Sequence, residues 1–350
     1  MSVNDQFFVH HRGFGLQFYV LGLIFGSTLG PVSAGYVLQS MGWRWVYWFY
    51  AIFLGALSLI IFLFLEETAF PRDRVTDGAD ETKEPRTLIS RLRLTPVIPP
   101  TETSFLTLLF NPIRLLLSPI VIWGGFNYGF AVSWLSIVSV TAFTVFQSPV
   151  YGYDFTFGDT GLTNLSGMVG ALLAVYVGGA GTDQIMVYLA RRNKGIMEAE
   201  TRIYSTFFAA PIMMGGLILY GVGAAKGLPW IGPVFGMGMI GAGIGISGEV
   251  SLGYASESFA GMGPKASTGT GMVAEAVTAL VVVRNIIGCA MTFAIAPWIE
   301  HSGLKNAFIT IGMLAFVILM SGVTCIIWGK AWRRAASGLY RVESKTSSSA

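Results

Sequence analysis

Residues 44–65 read RWVYWFYAIFLGALSLIIFLFL, and after Arg44 no charge interrupts the run until Glu66. A bilayer's hydrocarbon core is about 30 Å thick and takes roughly 20 apolar residues as a helix, so this stretch is long enough to cross once. Reading outward finds seven more such stretches, at about 16–40, 116–146, 161–181, 204–225, 229–254, 273–298 and 304–328. The chain is 53% hydrophobic and 12% charged, with mean hydropathy +0.63, whereas an average soluble domain carries roughly 25% charged residues. That is too little charge to clothe so many apolar helices in water. The composition therefore predicts an all-α, polytopic membrane helix bundle.

Lys and Arg near span ends are retained on the cytoplasmic side. With the N-terminus inside, that side holds Arg12, then Arg72, Arg74, Lys83, Arg86, Arg91, Arg93 and Arg114, then Arg191, Arg192, Lys194 and Arg202, then Lys265, and last Lys330, Arg333, Arg334, Arg341 and Lys345. The far side keeps Arg44, Lys226 and Lys305. Both termini are expected to be cytoplasmic. The net charge of +3 then reports topology, and no nucleic-acid partner is expected. No P-loop, His-Glu-x-x-His or nucleophile elbow occurs, so neither an enzyme nor a cofactor is expected. Cys289 and Cys325 fall inside spans as small apolar residues, and His10, His11 and His301 lack ligand spacing, so no metal site is expected.

The spans divide as two plus six. Residues 1–15 form a polar cytoplasmic segment and 16–66 a two-helix unit. Residues 67–115 are a linker dense in charge and proline, 116–330 a six-helix unit, and 331–350 a cytoplasmic tail. Residues 1–15 precede an overlong apolar stretch with no small-residue cleavage site, so this segment is not expected to be a secretory signal. Within the linker, residues 86–94 read either as a basic amphipathic helix on an anionic leaflet or as a solvated loop. The serines at 347–349 read as disordered. Glycine stripes at Gly22, Gly26 and Gly30, and at Gly232, Gly236, Gly241, Gly245 and Gly248, predict close helix contacts.

Gly26-Ser-Thr-Leu-Gly30-Pro31-Val-Ser-Ala-Gly35 resembles the fifth-helix motif of major facilitator superfamily antiporters, Gly-x-x-x-Gly-Pro-x-x-Gly-Gly, with Ala34 at its penultimate glycine. His11-Arg12-Gly13, Tyr19-Val-Leu-Gly22, Gly42-Trp-Arg-Trp-Val-Tyr-Trp48 and Glu66-Glu67-Thr68 resemble the fungal drug:proton antiporters of that superfamily. Gly178-Gly179-Ala-Gly181-Thr-Asp183, followed by Arg191-Arg192-Asn-Lys-Gly195 and Glu198-Ala-Glu200-Thr-Arg202, resembles the second copy of its loop signature. Arg284-Asn285-Ile-Ile-Gly288, Pro297-Trp298-Ile-Glu300 and Gly303-Leu-Lys-Asn-Ala307-Phe308 resemble its eleventh helix and the loop after it. An intact member has twelve spans, and this likeness begins before the fifth, so the resemblance implies a major facilitator fold truncated to about eight. Either another chain supplies the missing helices, or the sequence is a truncated gene or a degraded copy.

The resemblance implies proton-coupled efflux of small organic compounds, drugs or secondary metabolites, by alternating access between two halves. The partners would be the lipid bilayer, the substrate and protons. It implies the plasma membrane first and the vacuolar membrane second. The alternative is a non-transporting or partner-dependent membrane protein. Gly26, Gly30, Pro31 and Gly35 are the antiporter-helix candidates. Gly179, Asp183, Arg191 and Arg192 are the loop candidates, read either as charge-relay contacts that gate or as plain anchoring by the arginines. Arg284 falls within a span, where insertion of a charge costs about 2.5–3.5 kcal/mol. With Asn285 it either meets substrate or a proton-carrying carboxylate, or fixes helix contacts. Trp123, Asn127 and Trp134 lie within about 40° on one helical face, with Tyr128 beside it, and suit an amphipathic molecule or lipid. Glu249 and Glu275 are proton-coupling candidates, or ordinary acids at water-reached span ends.

Overall fold

The computed structural model describes residues 12–64, 112–195, 198–259 and 271–346. Residues 67–111 of the linker, the segment 86–94, the first eleven residues with His10 and His11, Lys265 and the serines at 347–349 lie outside them. The described chain is helical throughout: α1 (Arg12–Met41), α2 (Trp43–Phe64), α3 (Pro119–Phe146), α4 (Phe157–Arg192), α5 (Thr206–Ala225), α6 (Ile231–Phe259), α7 (Gly271–Met320) and α8 (Gly322–Thr346). Seven stretches among the described residues are long and apolar enough to cross a membrane, and the last, Met272–Arg334, is 63 residues long. Straight, it would measure roughly 95 Å, three times a hydrocarbon core. It folds back at Gly303, whose φ of 72° is a left-handed conformation that glycine adopts without steric cost. The two expected spans at 273–298 and 304–328 are therefore both present.

Cross-contacts show which ends lie together. At one end Gln39 Oε1 accepts from the Gly158 N–H at 3.3 Å, and Tyr153 donates to the Leu228 carbonyl at 2.6 Å. At the other, Asp183, Arg202, Glu249 and Glu257 meet. Successive passes thus run up and down, and α6 is the hub. It packs against α1, α3, α4, α5 and α7, and residues 240–256 are buried without interruption.

Small residues set these contacts, because lipid offers apolar helices no hydrophobic reason to associate and close van der Waals approach must supply one. A Cβ on Gly170 would overlap the Gly238 carbonyl, and one on Gly241 would overlap the Gly167 carbonyl, so α4 and α6 touch backbone to backbone. By contrast α2 touches chiefly α1, and its side chains from 51 to 63 are all exposed. A helix apolar all round with no protein cover is one whose surface suits lipid.

Two elements run longer than their hydropathy predicted. The fourth span was expected to end at 181, yet α4 continues to Arg192. Asp183 reads as a span terminator by charge, but Arg202 neutralises it, and Arg191 and Arg192 in the last turn oppose the helix dipole favourably. The segment read as a tail from 331 is helical to Thr346 as the end of α8.

Candidate functional site

A short 3-10 turn, Ala199–Ser205, leads into α5 and carries two charged residues, Glu200 and Arg202, both buried. Arg202 points inward and has no exposed surface. Its Nε and Nη2 donate to Glu257 Oε1 at 2.8 and 2.5 Å, and its Nη1 donates to Glu249, which is also fully buried. Asp183 Oδ1 stands 3.8 Å from Nη2. The guanidinium's fork of five donors can serve three carboxylates at once, which a lysine ammonium does less well. Glu249 and Glu257 are eight residues apart, two turns, and so share a face of α6. Gly253 lies midway between them. A Cβ there would stand 2.7 Å from Arg202 Cδ, so the glycine leaves the slot in which the arginine lies.

An outer layer closes over this centre. Arg333 on α8 reaches Glu200 at 2.7 Å, and Lys330 reaches Glu198 at 2.7 Å. The Lys330 hydrogen bond holds the Glu198 carboxyl below its ordinary value. That contribution is present at neutral pH and is lost as pH falls through the lowered value.

The sequence candidates divide around this centre. Asp183 belongs to it. Glu249 was expected at a water-reached end but is fully buried against Arg202. Gly179 is buried in a π-helical turn, Val175–Ala180. Arg191 and Arg192 are exposed, and among the described residues no carboxylate pairs with them. The arginine that takes the loop aspartate is Arg202. Glu275 is half-buried in the second turn of α7.

The α3 face is closed by protein. Trp123 lies one turn into α3 and not near its middle; its Nε1 donates to Ser321 Oγ at 3.1 Å, and its ring meets Tyr254 edge-on. Asn127 Oδ1 accepts from Ser247 at 3.0 Å, while its amide nitrogen has no partner in a buried position. Trp134 is buried beside Phe130. Tyr128 is buried, with the Arg284 guanidinium over its ring at 5.1 Å. Arg284 also donates to Asn285 Oδ1 at 2.9 and 3.1 Å. Among the described residues no carboxylate lies within ion-pair distance of it.

The glycine-proline element of α1 runs antiparallel to α4. A Cβ on Gly35 would stand 2.5 Å from the Phe157 carbonyl oxygen, and one on Gly161 would stand 2.8 Å from the Pro31 carbonyl oxygen. Gly26 faces open space, and Gly30 faces α2, where Tyr50 donates to its carbonyl at 2.7 Å. Half of the element therefore forms a seam with the six-helix unit, and half does not.

An up-and-down bundle of apolar helices with a buried arginine centre at one end and a glycine-proline seam between α1 and α4 defines a polytopic membrane protein. The Major Facilitator Superfamily profile matches residues 2–280, and the chain belongs to that family. It is 28% identical to an uncharacterized MFS-type transporter of Schizosaccharomyces pombe, over 95% of this chain and 65% of that protein. It is 25% identical to Protein HOL1 of Saccharomyces cerevisiae, over 95% of this chain and 67% of that protein. It is 29% identical to Efflux pump radE of Floropilus chiversii, over 91% and 58% respectively. The chain thus spans about two thirds of the length of these relatives. No solved structure matches it.

Proposed function

We propose that the chain serves proton-coupled export of small organic compounds by alternating access, with both termini in the cytoplasm and the plasma membrane as its site. The observation that carries this reading is Arg284, a cation within a span whose described neighbours are a tyrosine ring and an amide and include no counter-ion. A charge held in a membrane without a fixed partner suits a mobile one, either the anionic group of a substrate or a carboxylate that arrives when the halves rock. The Arg202 centre adds the coupling element. Asp183, Glu249 and Glu257 gather around its one guanidinium, and a proton taken up by one of these carboxylates would change the charge of the centre. Relatives named as transporters and as an efflux pump support the direction.

Expressed in a pump-deficient yeast, the chain is expected to lower retention of labelled amphipathic compounds. Arg284→Leu is expected to weaken apparent affinity for anionic compounds about 10- to 100-fold, the loss of one charge-assisted hydrogen bond, and Arg284→Lys to retain part of it. Unchanged efflux in Arg284→Leu at equal surface expression would remove Arg284 from the substrate path. A second reading, a membrane protein that works only with a partner, is favoured by α2, whose apolar surface touches chiefly α1 among the described residues. Efflux that appears only on co-expression of a second chain would select it.

A further inference from the structure

We infer that the outer face of α4, where it meets α5, is a binding groove for one anionic glycerophospholipid of the leaflet at the basic end of the bundle. The observation is a half-open cavity of about 270 Å³ lined by Tyr176, Val177, Gly181, Gln184, Ser205 and Phe208. It forms where the π-helical turn Val175–Ala180 interrupts α4. The wider turn carries an extra residue, and the adjacent Tyr176 and Val177 both face outward as a result. The floor is tied down by a 2.6 Å hydrogen bond between Thr182 and Ser205, both buried. The volume falls below the roughly 300–1,000 Å³ that encloses a drug-sized ligand. An acyl chain, which needs only a slot open along one side, fits it better.

The surface leading out of the groove names the rest of the ligand. Toward the basic end of α4 the exposed stripe runs from Leu173, Tyr176 and Val177 to Gln184, then Tyr188, then Arg191 and Arg192. Those positions recur at helical spacing on one face. The order apolar, amide, aromatic, guanidinium is the order hydrocarbon, ester, interface, phosphate of a single lipid, spread over roughly 10 Å of helix beyond Gln184. Gln184 is exposed and makes no hydrogen bond among the described residues, so an ester carbonyl would satisfy its amide donors. Arg191 and Arg192 are likewise without a carboxylate and have free forks for phosphate. The groove floor also belongs to the turn that holds Arg202, so occupancy bears on the charged centre.

The test is native mass spectrometry of the full chain, purified in a non-ionic detergent and titrated with phosphatidylserine or phosphatidylcholine. The wild type is expected to retain one phosphatidylserine in preference to phosphatidylcholine. The double variant Arg191→Gln, Arg192→Gln is expected to weaken phosphatidylserine binding about 25-fold, roughly fivefold for each arginine. Gly181→Leu fills the groove and is expected to weaken both lipids; a Cβ at Gly181 meets only the Tyr176 carbonyl at 3.5 Å, an ordinary contact, so the helix tolerates it. Equal retention of the two lipids by the wild type overturns the proposal, as does wild-type binding by the double variant. Loss with the arginine variant but none with Gly181→Leu also overturns it, because the charges would then attract membrane surface without a groove. The arginine pair is exposed, so that arm reads out even if Gly181→Leu fails to fold.

Discussion

Arg202→Leu is expected to cost about 3–5 kcal/mol of stability, the range for removing one partner from a buried ion pair. The cost is set less by the lost attraction than by what stays behind. Glu249 has no exposed surface and Glu257 and Asp183 have little, so Glu249 would be left in a dry site without its guanidinium and beside two further carboxylates. The corresponding measurement is the thermal melting of detergent-purified protein, with the fraction eluting as a single species. Adding Glu249→Gln to Arg202→Leu is expected to recover part of the loss, since it removes one of the stranded charges. The double variant should therefore be less destabilised than the sum of the two single changes predicts. A double variant no better than Arg202→Leu alone would show that the arginine acts by filling space between α5 and α6.

The second large effect falls on a residue without charge. Gly170→Val places a branched side chain where a Cβ alone already overlaps the Gly238 carbonyl and stands 2.9 Å from the Ala242 nitrogen. Neither neighbour is a flexible side chain that can turn away, so α4 and α6 must part. Overpacking commonly costs about 1–3 kcal/mol, and forced separation of two backbones lies at or beyond the top of that range. Loss of the monodisperse species in size-exclusion chromatography is the expected outcome. Gly26→Ala is the matched control. Its Cβ would meet nothing within 4 Å, so it should be neutral or stabilising by up to about 1 kcal/mol. The opposite ranking of the two variants would contradict the α4 to α6 contact.

That pair of glycines also shows what a sequence of this kind discloses. Gly26 belongs to a recognisable element and faces open space, while Gly170 belongs to no stripe and sits at the tightest contact in the bundle. A motif records which element a glycine lies on; the partner backbone that makes it indispensable is distant in the chain. The eight passes were legible because hydropathy over 20 residues depends on the residues themselves. The run of α4 past Asp183 was not, because a charge ends a span only if nothing neutralises it, and Arg202 lies beyond a turn. Asp183 and Glu249 were singled out as candidates, but the arginine that joins them was read only as part of a loop. The spacing Glu249, Gly253, Glu257 was the available signal: two acids on one face with a gap between them the width of a side chain. Burial of Glu249 depends on helices distant in the chain closing around α6, which no local pattern reports.

Under the proposed function this bundle moves organic compounds at the expense of a proton gradient. The direct measurement is efflux of labelled amphipathic compounds from cells that express the full chain and lack their own pumps, with and without a proton uncoupler. Efflux that the uncoupler abolishes is the expected result. Full expression in the membrane with no efflux, or with efflux indifferent to the uncoupler, would contradict it.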